Sequence, residues 1–92
     1  MSGTQAEQGG TTVTVRYFAG AAAAAGTGEE RVELPAGATV AGLVEHLARA
    51  HGPALARVLP AASFLVDAVA GPADRLLRDG GTVDVLPPFA GG

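Results

Sequence analysis

Apolar residues recur at every second position in two early stretches of this chain, at helical spacing in only one stretch, and at every second position again near its end. A period of two marks one face of a strand and a period of 3.6 marks one stripe of a helix, so the order of periods predicts the order of elements. Residues 12–17 put Val13, Val15 and Tyr17 on one face and leave Phe18 on the other with Thr14 and Arg16. Residues 29–34 alternate again with Val32 and Leu34 inward, and Pro35-Ala36-Gly37 closes the stretch, so the two strands are expected to form a hairpin. The alanines between them, bracketed by glycines over residues 19–28, predict a loop with one helical turn, because isolated helices this short are marginal.

Thr39 is placed to cap a helix over residues 40–51, in which Val40, Leu43, Val44 and Leu47 share one stripe. Glu45 and Arg49 stand four apart on the opposite side, a solvated pair worth a few tenths of a kcal/mol. Gly42 costs about 1 kcal/mol relative to alanine in a helix interior, and either permits close packing or is simply tolerated. Gly52-Pro53 ends the helix, and Leu55, Val58 and Leu59 predict a short helical turn over the end of the core. Residues 63–69 are a nearly continuous apolar run, consistent with a strand covered at least in part on both faces. Gly71-Pro72 turns the chain, residues 75–78 are expected to pair briefly at an edge, and Asp79-Gly80-Gly81 is a turn before a last strand over residues 82–86. The layout is α+β: a mixed sheet of four to five strands with one main helix packed across it.

Ninety-two residues make one domain with a single small core, built mainly from Val, Leu and Ala because only four residues are aromatic. The absence of cysteine excludes a disulfide framework, a thiolate metal site and a persulfide carried on a side chain. All six basic residues are arginine, which removes Schiff-base chemistry, a P-loop lysine and any isopeptide acceptor other than the N-terminus. A net charge of −3 argues against a nucleic-acid surface and favours protein partners. No apolar run approaches the ~20 residues that span a membrane, and no signal peptide is evident, so the cytoplasm is the expected compartment. Residues 1–11, polar and Gly-rich, are expected to form a disordered arm.

The last strand runs without a linker into Pro87-Pro88-Phe89-Ala90-Gly91-Gly92. Proline cannot donate to a sheet ladder, so the pair ends the strand and holds the departing chain extended. Four further residues reach at most about 13 Å, enough to enter a partner's cleft. Gly91 and Gly92 carry no side chain, so a narrow channel admits them and the terminal carboxylate can be presented at its end. Parity places Phe18 and Leu86 on the outer side of adjoining strands, with Phe64 or Val66 expected to join them and Pro87 and Pro88 beside them, as a partner-binding patch. The competing reading is that sheet twist and loops bury these side chains within the monomer.

From residue 12 onward the chain resembles the ubiquitin-like, β-grasp sulfur carriers of the MoaD/ThiS family. The resemblance is carried by Val15-Arg16-Tyr17-Phe18-Ala19, by Leu34-Pro35-Ala36-Gly37-Ala38-Thr39-Val40, and above all by the ending from Val83 to Gly92. The Pro-Pro before the diglycine is similar to the MoaD branch, the small subunits of molybdopterin synthase. The resemblance implies a β-grasp domain over residues 12–88 and a flexible tail over residues 89–92. It further implies that an E1-like adenylating partner, using ATP and magnesium, joins the Gly92 carboxylate to AMP. A sulfur donor then displaces AMP to leave a thiocarboxylate. In a MoaD-type system the sulfur passes to a pterin precursor in a MoaE-type large subunit, for molybdenum cofactor biosynthesis. On this reading the chain is not an enzyme and binds no cofactor of its own. It departs from the family pattern at Ala22-Ala23-Ala24-Ala25, where charged residues are usual, and at Phe89, where a smaller aliphatic is common.

Three alternatives stay open: a carrier serving thiamine, cysteine or tRNA thiolation, a modifier conjugated to lysines through Gly92, and a binding module with an idle tail. Other constellations are weaker. His46 and His51 lie about 140° apart around a helix and do not converge on a metal. The pairs Glu29-Glu30 and Asp79 with Asp84 fall in turn and strand-edge contexts, which do not favour acid/base catalysis.

Overall fold

A computed structural model describes residues 10–88. The early alternating stretches are strands β1 (Gly10–Tyr17) and β2 (Glu29–Pro35), paired antiparallel with Val13 opposite Val32. β1 begins before the expected boundary, so Thr11, assigned above to the arm, is a buried strand residue. The rest of that arm lies outside the described residues. The alanine run between the strands is a full helix, α1 (Gly20–Ala25), closed by Gly26 at φ 80°. Its packing explains what propensity alone did not: Ala21 is sealed in the core.

Helix α2 (Val40–His51) starts where Thr39 caps it, the hydroxyl accepting the Gly42 N–H at 3.2 Å. Val40, Leu43 and Leu47 are buried against the sheet. Glu45 and Arg49 make no ion pair among the described residues, as expected of long exposed side chains that gain little from pairing. After Gly52 come α3 (Pro53–Val58) and a 3-10 turn (Leu59–Ala61), which lower Leu55 and Leu59 into the core.

Strands β3 (Ser63–Val66), β4 (Val69–Ala70) and β5 (Thr82–Leu86) complete one mixed sheet in the order β2-β1-β5-β3-β4. β5 lies parallel to β1 and antiparallel to β3. The sheet's inner face meets α2 through Val13, Val15, Tyr17, Val32, Val83, Val85 and Val66. This is the ubiquitin-like β-grasp arrangement.

Two local expectations are corrected. The run over residues 63–69 is not one strand, because Asp67 and Ala68 both take positive φ, 50° and 70°, and reverse the chain into β4. Asp67 is held there from both sides: its N–H donates to the Thr82 carbonyl at 2.8 Å, and its carboxylate accepts the Thr82 N–H at 3.0 Å. The short edge strand is therefore β4 and not residues 75–78, of which only Leu76 makes an isolated bridge, to Thr39, while Leu77 is buried. The Asp79-Gly80-Gly81 turn does precede β5, and it needs its glycines. Gly80 has φ 84°, and a Cβ on Gly81 would lie 3.0 Å from the Arg78 carbonyl and 3.1 Å from the Asp67 carboxylate. None of the described helices is long and apolar enough to cross a membrane.

Candidate functional site

Because β1 and β5 are parallel neighbours, they deliver Phe18 and Leu86 to the same end of the sheet, where the chain leaves through Pro87 and Pro88. Phe18 is fastened on both sides of its own peptide, its N–H donating to the Val85 carbonyl at 3.2 Å and its carbonyl accepting from Ala21 at 3.0 Å. Its side chain is nevertheless 38% exposed. Leu86 is half-buried opposite Ser63, and Pro88 is exposed. Phe18, Leu86 and the proline exit thus sit together, as parity predicted.

Phe64 and Val66 do not join them. Phe64 stands opposite Val85 and Val66 opposite Val83, both on the helix-facing side. Val66 is buried, and Phe64 lines an apolar groove of about 380 Å³ with Val40, Val44, Leu59 and Pro60. The outer-face residues of β3 are Ser63, opposite Leu86, and Leu65, half-buried opposite Asp84, and sequence reasoning missed Leu65. Since residues 64–66 are all apolar, no alternation distinguished the two faces, and only the pairing with β5 assigns them.

Beneath this end the outer face carries an ion pair. Arg16 binds Asp84 with both ends of its fork, Nε to Oδ1 at 2.7 Å and a terminal nitrogen to Oδ2 at 3.1 Å. Asp84 is 7% exposed in a central strand, which corrects its assignment to a strand edge. Hydrogen bonding to Asp84 and the charge of Asp84 raise the Arg16 pKa further above an already high value. The guanidinium carbon also lies 5.9 Å from the centre of the Phe18 ring. The pair thus anchors Arg16 against the exposed aromatic. Asp79 does not meet Asp84; its carboxylate accepts the Thr12 N–H at 2.8 Å.

On the inner face at the same end, the Glu30 carboxylate accepts the Tyr17 hydroxyl and meets Nε2 of His51, each at 2.5 Å. Burial pulls the Glu30 pKa upward, but hydrogen bonds from Tyr17 and His51 and the charges of His51 and His46 outweigh it and hold the carboxylate below its usual range. Burial, then the hydrogen bond and charge of Glu30, push the Tyr17 phenol far up. This cluster ties the end of α2 to the sheet. His46 lies instead along a groove with Glu33, Glu45 and Arg49. Among the described residues no three metal-binding side chains come together. Phe89, Ala90, Gly91 and Gly92 lie outside the described residues.

A half-open sheet with a helix across one face, an apolar patch on the other and a proline exit from its central strand defines a ubiquitin-like domain of the carrier or modifier class. The chain belongs to the ThiS family, which it matches over residues 15–92. A search of curated proteins found no match. Among solved structures, a protein from Pyrococcus furiosus provisionally designated molybdopterin converting factor, subunit 1, is 30% identical with a TM-score of 0.75, the match covering 85% of this chain and 98% of that one. SAMP1, the small archaeal modifier protein 1 of Haloferax volcanii, is 28% identical with a TM-score of 0.76, over 88% of this chain and 99% of that one. Urm1 from Trypanosoma brucei, at 21% identity and a TM-score of 0.69 over 90% of this chain and 97% of that one, shares the fold. Small carriers of this kind work with E1-like enzymes and are generally not catalysts themselves.

Proposed function

We propose that this chain is a cytoplasmic sulfur carrier whose Gly92 carboxylate is activated and thiolated by partner proteins, and that it serves as the small subunit of a molybdopterin synthase. The observation that carries this reading is the central strand β5 running straight into a double proline, with two residues between it and Gly91-Gly92, beside the exposed Phe18. A carboxylate resists nucleophiles because it is resonance-stabilised and negative. Joined to AMP, with pyrophosphate leaving ATP, it becomes an acyl group with a good leaving group. A sulfide-equivalent donor then adds at the carbonyl carbon and AMP departs, leaving the thiocarboxylate. The adenylating partner supplies the site for ATP and magnesium. This chain supplies position: a rigid sheet holds the tail's root, and a correctly placed reactant removes several kcal/mol from a barrier. The apolar face of Phe18, Leu86 and Leu65 meets the adenylating enzyme and then a MoaE-type large subunit that holds the pterin precursor.

The test is reconstitution with an E1-like enzyme, ATP and a sulfur donor from the same cell, read by intact mass. The expected product has one oxygen exchanged for sulfur, and removing Gly92 abolishes it. An unchanged mass overturns the carrier reading. Co-purification with a pterin-binding large subunit supports the molybdopterin assignment.

A second reading has its own observation, the 28% identity to a small archaeal modifier protein. Conjugates of this chain on a denaturing gel, dependent on Gly92 and on ATP, favour that role.

A further inference from the structure

β2 is an edge of the sheet, and among the described residues no strand pairs with its outer side. Which of its backbone groups are free follows from its inner pairing. The Tyr17 N–H donates to the Gly28 carbonyl at 2.9 Å, which makes that pair the hydrogen-bonded type, and the type alternates along an antiparallel ladder. Gly28, Glu30, Val32 and Leu34 therefore direct their N–H and C=O groups to β1. Glu29, Arg31 and Glu33 turn theirs outward, but the Glu29 N–H and carbonyl are taken by the Thr27 hydroxyl, at 3.3 and 3.0 Å, and the Pro35 carbonyl accepts the Ala38 N–H at 3.2 Å, so the groups open to a partner are those of Arg31 and Glu33. The side chains of Glu29, Arg31 and Glu33 are all exposed and alternate in charge along the outer face.

A bare edge is a template for another strand, and charges on it ordinarily deter pairing. Here the alternating signs deter some registers and favour another. Two copies meeting antiparallel about a two-fold axis form hydrogen bonds only where outward groups face outward groups. An axis at Arg31 sets Arg31 against its own copy and Glu29 against Glu33. An axis at Glu33 sets Glu33 against itself, and an axis at Glu30 opposes Glu29 to Arg31 but overlaps little beyond them. An axis at Val32 overlaps the strand along its whole length, opposes Arg31 to Glu33 twice, and places Val32 beside its copy on the helix-facing side.

We infer that a second copy of this chain adds to β2 in the register centred on Val32, joining the two sheets into one. A single strand pair buries less surface than a standard stable interface, so the association is weak and concentration-dependent. β1 separates β2 from β5, so both tails stay free in the pair.

Arg31 and Glu33 are exposed, and substitutions there leave the fold intact. In sedimentation velocity from dilute to millimolar chain, the native protein dimerises. R31E and E33R each weaken the dimer by about tenfold or more, and the double exchange R31E/E33R restores it. The chain has no cysteine of its own, so thiols report the register directly. A hydrogen-bonded pair separates Cα atoms by about 5.5 Å, within disulfide range, so R31C mixed with E33C cross-links under mild oxidation while each alone does not. A chain that stays monomeric at every concentration, a dimer indifferent to R31E, or R31C that prefers itself to E33C overturns the inference.

Discussion

Glu30 shows how one side chain on the inner face can set the acid limit of the fold. Its pKa in the folded protein lies below the value of about 4.3 it has in an unfolded chain. Its contribution to stability is therefore complete above that value and is lost as pH falls through the folded-state pKa. Asp67, lowered chiefly by the Thr82 N–H, acts in the same direction. Urea midpoints measured from neutral pH down to about 3 should fall steadily below about pH 5, and E30Q should start lower at neutral pH and show a flatter decline. On the opposite face, Phe18 and Leu86 are expected to matter to partners more than to folding. F18A and L86A should each weaken binding to the adenylating enzyme by roughly tenfold or more, with little change in melting temperature. Unfolding with unchanged affinity per folded molecule would remove these residues from the docking face.

At the scale of elements, glycine is present where the helix does not need it and missing where a turn does. A Cβ at Gly42 would meet nothing closer than the Thr39 hydroxyl at 3.7 Å, so of the two readings of this residue the structure favours tolerance over close packing. Ala68 holds φ 70° in the two-residue turn between β3 and β4, a conformation that L side chains disfavour. G42A and A68G are each expected to raise stability by about 0.5–1 kcal/mol, a rise of a few degrees in melting temperature read by calorimetry. That turn also shows where sequence reading ran out. β1, β2 and α2 were legible because each has one wet face, and alternation or helical spacing records it; β5 was legible because Thr82 and Asp84 alternate with Val83 and Val85, although Asp84 is buried under Arg16 and not wet. Residues 64–66 of β3 are all apolar, so the opposite facing of Phe64 and Leu65 left no pattern, and the reversal at Asp67-Ala68 was marked by a single polar residue inside an apolar run. Asp-Ala is also a poor advertisement for a turn usually built from Asn-Gly or Asp-Gly. The root of the tail was legible for a different reason: Pro87-Pro88 directly after an alternating strand has few other structural meanings.

In the whole molecule, the first and last strands occupy the middle of the sheet and the later hairpin and β2 form its flanks. Opening free energy should follow that plan. Amides of Val15, Val83 and Val85 are expected to exchange with solvent most slowly, those of Arg31, Glu33 and β4 most quickly, as measured by native-state hydrogen exchange. Comparable protection across all five strands would mean the flanks are more firmly held than their pairing suggests.

The parallel pairing of β1 with β5 has a mechanical side. Because the two strands point the same way, pulling the two ends of the chain apart slides one strand along the other and loads all the hydrogen bonds between them together. Antiparallel terminal strands would instead peel open one bond at a time. A machine that grips the tail and hauls on it therefore meets a body that resists as a clamp, so the slender end can be tugged through a partner's channel without the domain behind it coming undone.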